Sequence, residues 1–347
     1  MLYVTTRNKH DPQTARRTMD QDRGSDGGLY VPFQMPRFDL DAVMALGQKS
    51  FGQNVADILN LFFSTKLTGW DVEVCIGRYP VQLKSMNFRL IVAEAWRNVD
   101  WKFSRVVRSL AHLIHPDRDV IGPATNWVEI AVRIAVLFGI YGELLRDGTV
   151  RPDRPLDVAV SCGTFANPMA AWYARQMGLP IGTIICGCNE NGAVWDLLHR
   201  GEMDTDALAV KTTTPDCDHA LPPDLERLIC GVFDQEEANR YWWTCTEGST
   251  YFLNDEQQRR LGQGMFAAVV SQARVETIIP SVYRTNQYIL DPYAALAYGA
   301  LSDYRARKGM GNTALIFCEK NPVCSAETVA GAMHITAAEL KKRLAEI

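Results

Sequence analysis

The stretch from Leu156 to Ile185 reads LDVAVSCGTFANPMAAWYARQMGLPIGTII, and it decides the fold. Its apolar beginning, Leu156–Val160, predicts a buried strand, and its apolar end, Ile181–Ile185, predicts a second one. Between them lies a helical pattern that is closed by Gly178 with Pro180 beyond it. A strand, a crossover helix and a strand of this length form a parallel pair with a right-handed connection. The sequence therefore predicts an α/β fold with a parallel sheet and flanking helices.

The loop between the first strand and the helix is the main candidate binding site. Asn167 suits the N-cap of the helix, and Pro168 suits its first position. Backbone N–H groups at such a helix start point outward with the positive end of the helix dipole behind them, which favours a phosphate. The alternative is a loop whose glycine serves turn geometry only. The candidate phosphate-binding residues are Ser161, Gly163, Thr164, Phe165, Ala166 and Asn167.

Other segments extend the α/β pattern. Apolar residues at helical spacing predict helices over Trp101–His115 and Trp127–Leu145. Near the end, Asp291-Pro292 predicts the start of a helix that runs to about Arg307, and Thr313–Phe317 predicts a strand. The last segment, Ala326–Glu346, is predicted to be helical throughout.

Composition excludes several classes of protein. The 347 residues are 47% hydrophobic and carry a formal net charge of -4, with no Lys/Arg run that would suit nucleic acid. The nine cysteines include no C-x-x-C pair, so we expect neither a metal site nor a disulfide scaffold. No apolar stretch reaches the length of a membrane span, and the first ten residues lack the apolar core of a signal peptide. We expect a cytoplasmic α/β protein.

Seven segments, in collinear order, resemble the threonine synthase family. Residues 158–181 are similar to the family's V-P-S/T-G-N-F-G-N…A-G-Y-Y-A-K-K-M-G-L-P-I. Residues 26–32 (DGGLYVP) match the D-G-G-L-Y-V-P that opens these enzymes. The remaining segments are shorter, and they are Thr125–Trp127, Cys188–Asn191, Thr212–Asp218, Leu225–Leu228 and Asp291–Ala295. The chain is identified as a member of this family.

The resemblance implies a pyridoxal 5'-phosphate (PLP) enzyme of fold type II, similar to the tryptophan synthase β subunit. Such enzymes convert O-phosphohomoserine and water to threonine and phosphate, with PLP held as a Schiff base to a lysine. It also implies three regions: residues 1–95, a mainly helical N-terminal segment; residues 96–123, a remnant of the lysine-bearing helix and a shortened small domain; and residues 124–347, the large α/β domain.

The chain departs from the family pattern where the lysine and the small domain lie. The counterpart of the family's lysine is Lys102, which keeps an aromatic–Lys pair but lacks the H-G-P-T approach and the following Asp. An exposed lysine without a catalytic role is an equally good interpretation. Family members place several strands and helices between the lysine helix and the helix of Trp127. Only His115–Ala124 fills that interval here, which is too short for an equivalent layer.

Contacts to the cofactor are altered as well. Thr164 replaces an Asn, and Ala166 replaces a Gly. The Cβ of Ala166 would penalise a positive φ at this position. In the register implied by Pro322, Glu319 takes the place of a neutral Thr near the pyridine nitrogen, where a carboxylate would change the protonation of the ring. Tyr293 replaces the usual His.

An intact scaffold with an eroded site favours a catalytically degenerate, threonine-synthase-like protein that keeps the scaffold and a loop for PLP or another small phosphorylated ligand. The alternative is an active PLP-dependent threonine synthase or related lyase, in which a partner chain completes the cleft. A third hypothesis, another enzyme chemistry using Cys162, Glu319 and Lys102, has no supporting constellation.

Loss of a small domain should expose the apolar face that it covers. The candidates for such a face are Trp96, Trp101, Val106, Val107 and Leu110. Because exposed apolar patches mark interfaces, we expect self-association or a partner protein there.

Overall fold

The computed structural model describes residues 1–78, 80–87, 89–97, 102–116 and 125–346. The N-terminal part contains β1 (Leu2–Thr5), β2 (Gln13–Thr14), α1 (Ala15–Asp20), β3 (Tyr30–Pro32), α2 (Leu40–Ala45), α3 (Phe51–Phe63), α4 (Gly69–Ile76), β4 (Gln82–Met86) and β5 (Leu90–Glu94).

The central elements are α5 (Phe103–Ile114), α6 (Trp127–Arg146), β6 (Leu156–Ser161), α7 (Ala166–Gln176), β7 (Ile181–Cys188), α8 (Ala193–Arg200) and β8 (Glu202–Asp204). The remaining elements are α9 (Leu225–Val232), α10 (Gln235–Glu247), β9 (Thr250–Phe252), α11 (Asp255–Leu261), β10 (Met265–Val269), α12 (Gln272–Asn286), α13 (Pro292–Lys308), β11 (Ala314–Cys318), α14 (Ala326–Ala332) and α15 (Ala337–Glu346).

A six-stranded sheet in the order β10-β7-β6-β11-β5-β4 organises the molecule. All its neighbouring strands pair in parallel except β4, which is antiparallel to β5 at the edge. The predicted α/β class and the parallel pairing of the two strands around α7 are confirmed. Because the sheet includes β4 and β5, it crosses the predicted boundary at residue 95, and the three-part division stays a prediction.

Helices cover both faces of this sheet and form two apolar cores. In β11, Leu315 and Phe317 lie in the core with α3, α6 and α7, whereas Ala314 and Ile316 lie in the core with α12, α13 and α14. Successive side chains of a strand point to opposite faces, so a strand covered on both sides is apolar at every position. This arrangement explains the uninterrupted apolar run of β11.

The apolar face predicted to be exposed is buried. Trp96, Val106, Val107 and Leu110 are all at most 4% exposed. The cause is that α5 turns Val106, Val107 and Leu110 inward against α4 and α6, with the Phe103 ring 5.0 Å from that of Phe317. Trp96 follows β5 and lies in the core with α12, α13 and α14. This expectation was wrong for the four described residues, and Trp101 lies outside the described ranges. The expected partner stays a prediction without this surface behind it.

Two further predictions were also tested by the fold. The predicted helix over 326–346 is two helices, because the chain leaves α14 at Met333 and His334 adopts a φ of 53°.

Most of the predicted connector His115–Ala124 lies outside the described ranges, so the shortened small domain stays a prediction. Within the described ranges, every helix falls short of what a membrane crossing requires in length or apolarity.

Candidate functional site

The topology predicts a crevice at the carboxyl ends of β6 and β11, which are neighbours in the sheet. After β6 the chain enters α7 on one face, and after β11 it leads to α14 on the other. In open α/β sheets, ligands bind where neighbouring strands send their connections to opposite faces. We call this place the β6–β11 crevice, and the loops at residues 161–167 and 319–320 form its two walls.

The loop from β6 to α7 differs in detail from the prediction. The N-cap of α7 is Phe165, with a φ of 75°, and not Asn167. The left-handed conformation of Phe165 turns the chain early, so the helix begins at Ala166 and Asn167 already lies in its first turn. The positive φ values fall on Gly163 and Phe165 rather than on Ala166. The predicted penalty of a Cβ at Ala166 therefore does not arise.

Backbone N–H groups of this loop are available to a ligand. Burial raises the pKa of the Cys217 thiol to about 12, and hydrogen bonding from the Gly163 backbone and the Ser161 side chain opposes this rise. For the N–H groups of Thr164, Ala166 and Asn167, the described part of the chain supplies no acceptor. Unpaired N–H groups at the start of an eleven-residue helix form a site for an anion. The loop therefore stays the candidate phosphate-binding loop.

An ionic network joins the two walls of the crevice. Nδ2 of Asn167 donates to Oε2 of Glu319 at 2.8 Å, and Nη2 of Arg133 donates to Oε1 of Glu319 at 3.1 Å. The Nε of Arg133 also donates to Oδ1 of Asn167 at 3.0 Å. Burial opposes the charge of Arg133, but the carboxylates of Glu129 and Glu319 outweigh it and raise the pKa of the guanidinium. We call these three residues, Arg133, Asn167 and Glu319, the bridging network.

Sequence reasoning missed Arg133, although a signal for it exists. It is the one charged residue within the apolar run from Ile130 to Ile140. Charged residues are almost never buried without a partner, so an Arg inside such a run indicates a buried acid nearby.

Lys102 lies at the edge of the crevice. It is exposed, forms the N-cap of α5, and pairs through an isolated antiparallel bridge with Lys320. The next residue, Phe103, donates its N–H to the carbonyl of Glu319 at 2.7 Å. The structure thus brings Lys102 and Glu319 together along the backbone. The preceding residues of the motif, Val99, Asp100 and Trp101, lie outside the described ranges.

A second lysine, which sequence reasoning did not single out, occupies the mouth of the crevice. Nζ of Lys320 pairs with the carboxylate of Asp216 and lies 4.1 Å from the ring centroid of Tyr293. Burial opposes the charge on Lys320, but Asp216 and Tyr293 outweigh it and raise its pKa. The N–H of Asp216 donates to the Tyr293 hydroxyl at 3.3 Å. The tyrosine that replaces the family's His therefore helps to hold Asp216 beside Gly163, whose Cβ position would lie 3.6 Å from the Asp216 carbonyl.

A polar network supports Asp216 from below. Nδ2 of Asn189 donates to the side chains of Thr212, Thr214 and Asp218 at 2.8–3.1 Å. Two of the segments that carry the family resemblance, 188–191 and 212–218, thus meet at this point. Their side chains fix the turn that carries Asp216.

Asp291, next to Tyr293, gives a pH-dependent prediction. Its Oδ1 caps α13 by accepting from the N–H of Tyr293 at 2.9 Å, and burial raises its pKa from 3.8 to about 7. The folded protein then holds a proton that the unfolded chain has lost, so stability falls as pH rises from about 4 to about 7. We expect Asp291→Asn, which keeps the cap acceptor, to gain stability relative to the wild type over this interval. Urea unfolding of both proteins at about pH 4 and about pH 7 measures this gain. An equal difference in the free energy of unfolding between variant and wild type at both pH values would contradict it.

Comparison with known proteins adds to this geometry. The profile of the family described as "Threonine synthase N terminus" matches residues 2–79. "Threonine synthase-like 1" of Macaca fascicularis is 28% identical over 184 residues, which are 50% of this chain but 24% of that protein. Threonine synthase of Pseudomonas aeruginosa is 26% identical over 52% of this chain and 38% of its own length. The chain thus matches between a quarter and two fifths of these relatives.

Solved structures share the fold. A PLP-bound threonine synthase from Brucella melitensis has a TM-score of 0.84 at 17% identity, covering 96% of this chain and 92% of its own. Threonine synthase from yeast also has a TM-score of 0.84, at 15% identity, covering 99% of this chain and 94% of its own. These two structures confirm the predicted α/β fold.

Proposed function

Since this chain belongs to the threonine synthase family, we propose that it is a catalytically degenerate member. It keeps the scaffold and binds PLP, or another small phosphorylated ligand, on the loop of residues 161–167. The alternative is an active threonine synthase or related lyase that a partner chain completes.

The bridging network is the observation that carries this proposal. By resemblance, Glu319 stands where the family has a neutral Thr near the pyridine nitrogen. Here its carboxylate is already bonded to Arg133 and Asn167. A pyridine ring entering the crevice would therefore compete with the bonds that Glu319 already makes to Arg133 and Asn167.

The short interval after α5 supports the same proposal. This helix ends at Ile114 and α6 begins at Trp127. Catalysis on an amino-acid substrate requires that the substrate be oriented and that water be excluded. The sequence places twelve residues, 115–126, in this interval, and by length alone this is shorter than the several strands and helices that the family has there.

The loop fits the phosphate of PLP better than the rest of the crevice fits its ring. Thr164, Ala166 and Asn167 would hold the phosphate through their free N–H groups. By resemblance, Lys102 is the amine that corresponds to the family's lysine. When bound, PLP supplies an electron sink for carbanion chemistry. This chain's own residues bind and orient the phosphate, while Lys320 and Asp216 close the mouth beside it.

Equilibrium dialysis with PLP tests the proposal that this chain binds PLP. We expect saturable binding that Gly163→Val weakens by about tenfold or more, since a β-branched residue at a φ of 49° displaces the loop. Gly148→Val is the matched control, because Gly148 also has a positive φ of 76° but lies in a turn after α6 with nothing within 4 Å of its Cβ position. Equal effects of the two substitutions, or no saturable binding, would sink this proposal.

Visible absorption and a phosphate-release assay test the proposal that this chain is catalytically degenerate. We expect no release of phosphate from O-phosphohomoserine, and no visible band that depends on Lys102. A band that Lys102→Ala abolishes but Lys320→Ala and Lys66→Ala keep, together with Lys102-dependent phosphate release, would establish the active enzyme instead.

A further inference from the structure

Two thiols meet beside the phosphate loop, and the proposed function uses neither. Cys162 follows the last residue of β6, and Cys188 ends β7. The parallel register pairs Ser161 with Gly187, so the next residues on the two strands are Cys162 and Cys188. Their Sγ atoms lie 2.9 Å apart, and both residues are buried.

We propose that Cys162 and Cys188 are a modification site at which a reversible disulfide forms. Directly paired residues on neighbouring strands lie about 4.8 Å apart, within the ~4.4–6.8 Å between Cα atoms that a disulfide needs. The two sulfurs must approach by less than about 1 Å to reach a bond of ~2.05 Å. The backbone therefore needs little rearrangement.

Hydrogen peroxide is an oxidant of the right kind and size. One thiol attacks a peroxide oxygen, which breaks the O–O bond, gives a sulfenic acid and releases one water. The second thiol attacks that sulfur, forms the S–S bond and releases a second water. The two thiols lose two electrons and two protons in total, and the peroxide is reduced to two molecules of water.

The surroundings make this reaction slow but directed. Hydrogen bonds from Cys186 and Cys188 raise the pKa of Cys162, so little thiolate is present. Exposed Cys324 should therefore react before the buried pair. Once a sulfenic acid forms in the pair, the second sulfur is already in contact and resolves it.

Bridging should change ligand binding, and this part rests on the proposed function. Cys162 directly precedes Gly163, which adopts a φ of 49° in the turn before α7. The carbonyl of Cys162 also accepts the N–H of Phe165 at 2.7 Å. Pulling Cys162 toward β7 shifts this turn and the N–H groups that follow it. We expect the oxidised protein to bind PLP about tenfold more weakly, with recovery after dithiothreitol.

The test uses the full chain carrying Cys324→Ser, treated with peroxide and analysed by intact mass and by peptide mapping without reduction. We expect the loss of two hydrogens and a cross-linked peptide pair containing Cys162 and Cys188. Cys186→Ser, two residues from Cys188 on the same strand, should keep the bridge, whereas Cys162→Ser and Cys188→Ser should each lose it.

Two outcomes would overturn the proposed disulfide: no cross-link after Cys75 and Cys245 have reacted, or a bridge to Cys186 instead. A bridge that leaves PLP binding unchanged would overturn its proposed effect on the ligand. The mass measurement needs no ligand. Failure of the reduced protein to bind PLP would therefore refute the proposed binding of PLP, and the bridge would still be decided by the mass measurement alone.

Discussion

Replacing Arg227 with leucine should lower the free energy of unfolding by about 3–5 kcal/mol, because it leaves a buried acid without its partner. Arg227 is fully buried and pairs with Asp224, which is also fully buried. Its Nε donates to the carbonyl of Tyr30 at 3.1 Å, and its Nη2 donates to the carbonyl of Thr125 at 2.7 Å. One guanidinium thus ties the N-terminal segment to the start of α6. Urea unfolding followed by circular dichroism measures the loss.

Two further variants separate the buried pair from a general effect of losing an Arg. Burial raises the pKa of Asp224 even with Arg227 in place, and its Oδ2 has no partner in the described structure. The double variant Asp224→Asn/Arg227→Leu should therefore lose less stability than Arg227→Leu alone. Arg259→Leu breaks an exposed pair with Glu256 and should cost less than about 1 kcal/mol. Similar losses for Arg227→Leu and Arg259→Leu would contradict this account.

The sequence predicts helices well where a capping residue marks the end of the helix. The helix from Trp127 and the helix from Pro292 are both found within about two residues of their predicted ends, because Asn126 and Asp291 cap them. The break between α14 and α15 was missed, although it has a local signal. Thr336 followed by Glu339 is the pattern of a helix start, and the Glu339 N–H does donate to the Thr336 hydroxyl at 3.2 Å.

The site was harder to predict than the fold, for a topological reason. The loop 161–167 is visible in the sequence because it joins two elements that are consecutive in the chain. The bridging network and Lys320 depend instead on β11 inserting between β5 and β6. A single sequence does not reveal that order of strands. Glu319 was identified only through the family resemblance, and the Arg133 and Asn167 that hold it were not linked to it.

Replacing Phe165 with alanine should cost about 3–5 kcal/mol, since the ring is fully buried in the core shared with α6 and α7. Glycine at the same position should be less damaging than alanine, although it is smaller. Phe165 has a φ of 75°, a conformation that costs an L-residue roughly 1–2 kcal/mol and glycine almost nothing. After the greater chain entropy of glycine is subtracted, Phe165→Gly should exceed Phe165→Ala in stability by up to about 1 kcal/mol.

Phe138 supplies the matched control for this comparison. It is also fully buried, but it lies within α6, where glycine is about 1 kcal/mol worse than alanine. The preference for glycine over alanine should therefore reverse between positions 165 and 138 when both pairs are unfolded in urea. The same order at both positions would mean that Phe165 stores no backbone strain. The reversed order would show that Phe165 stores backbone strain in the turn that begins α7.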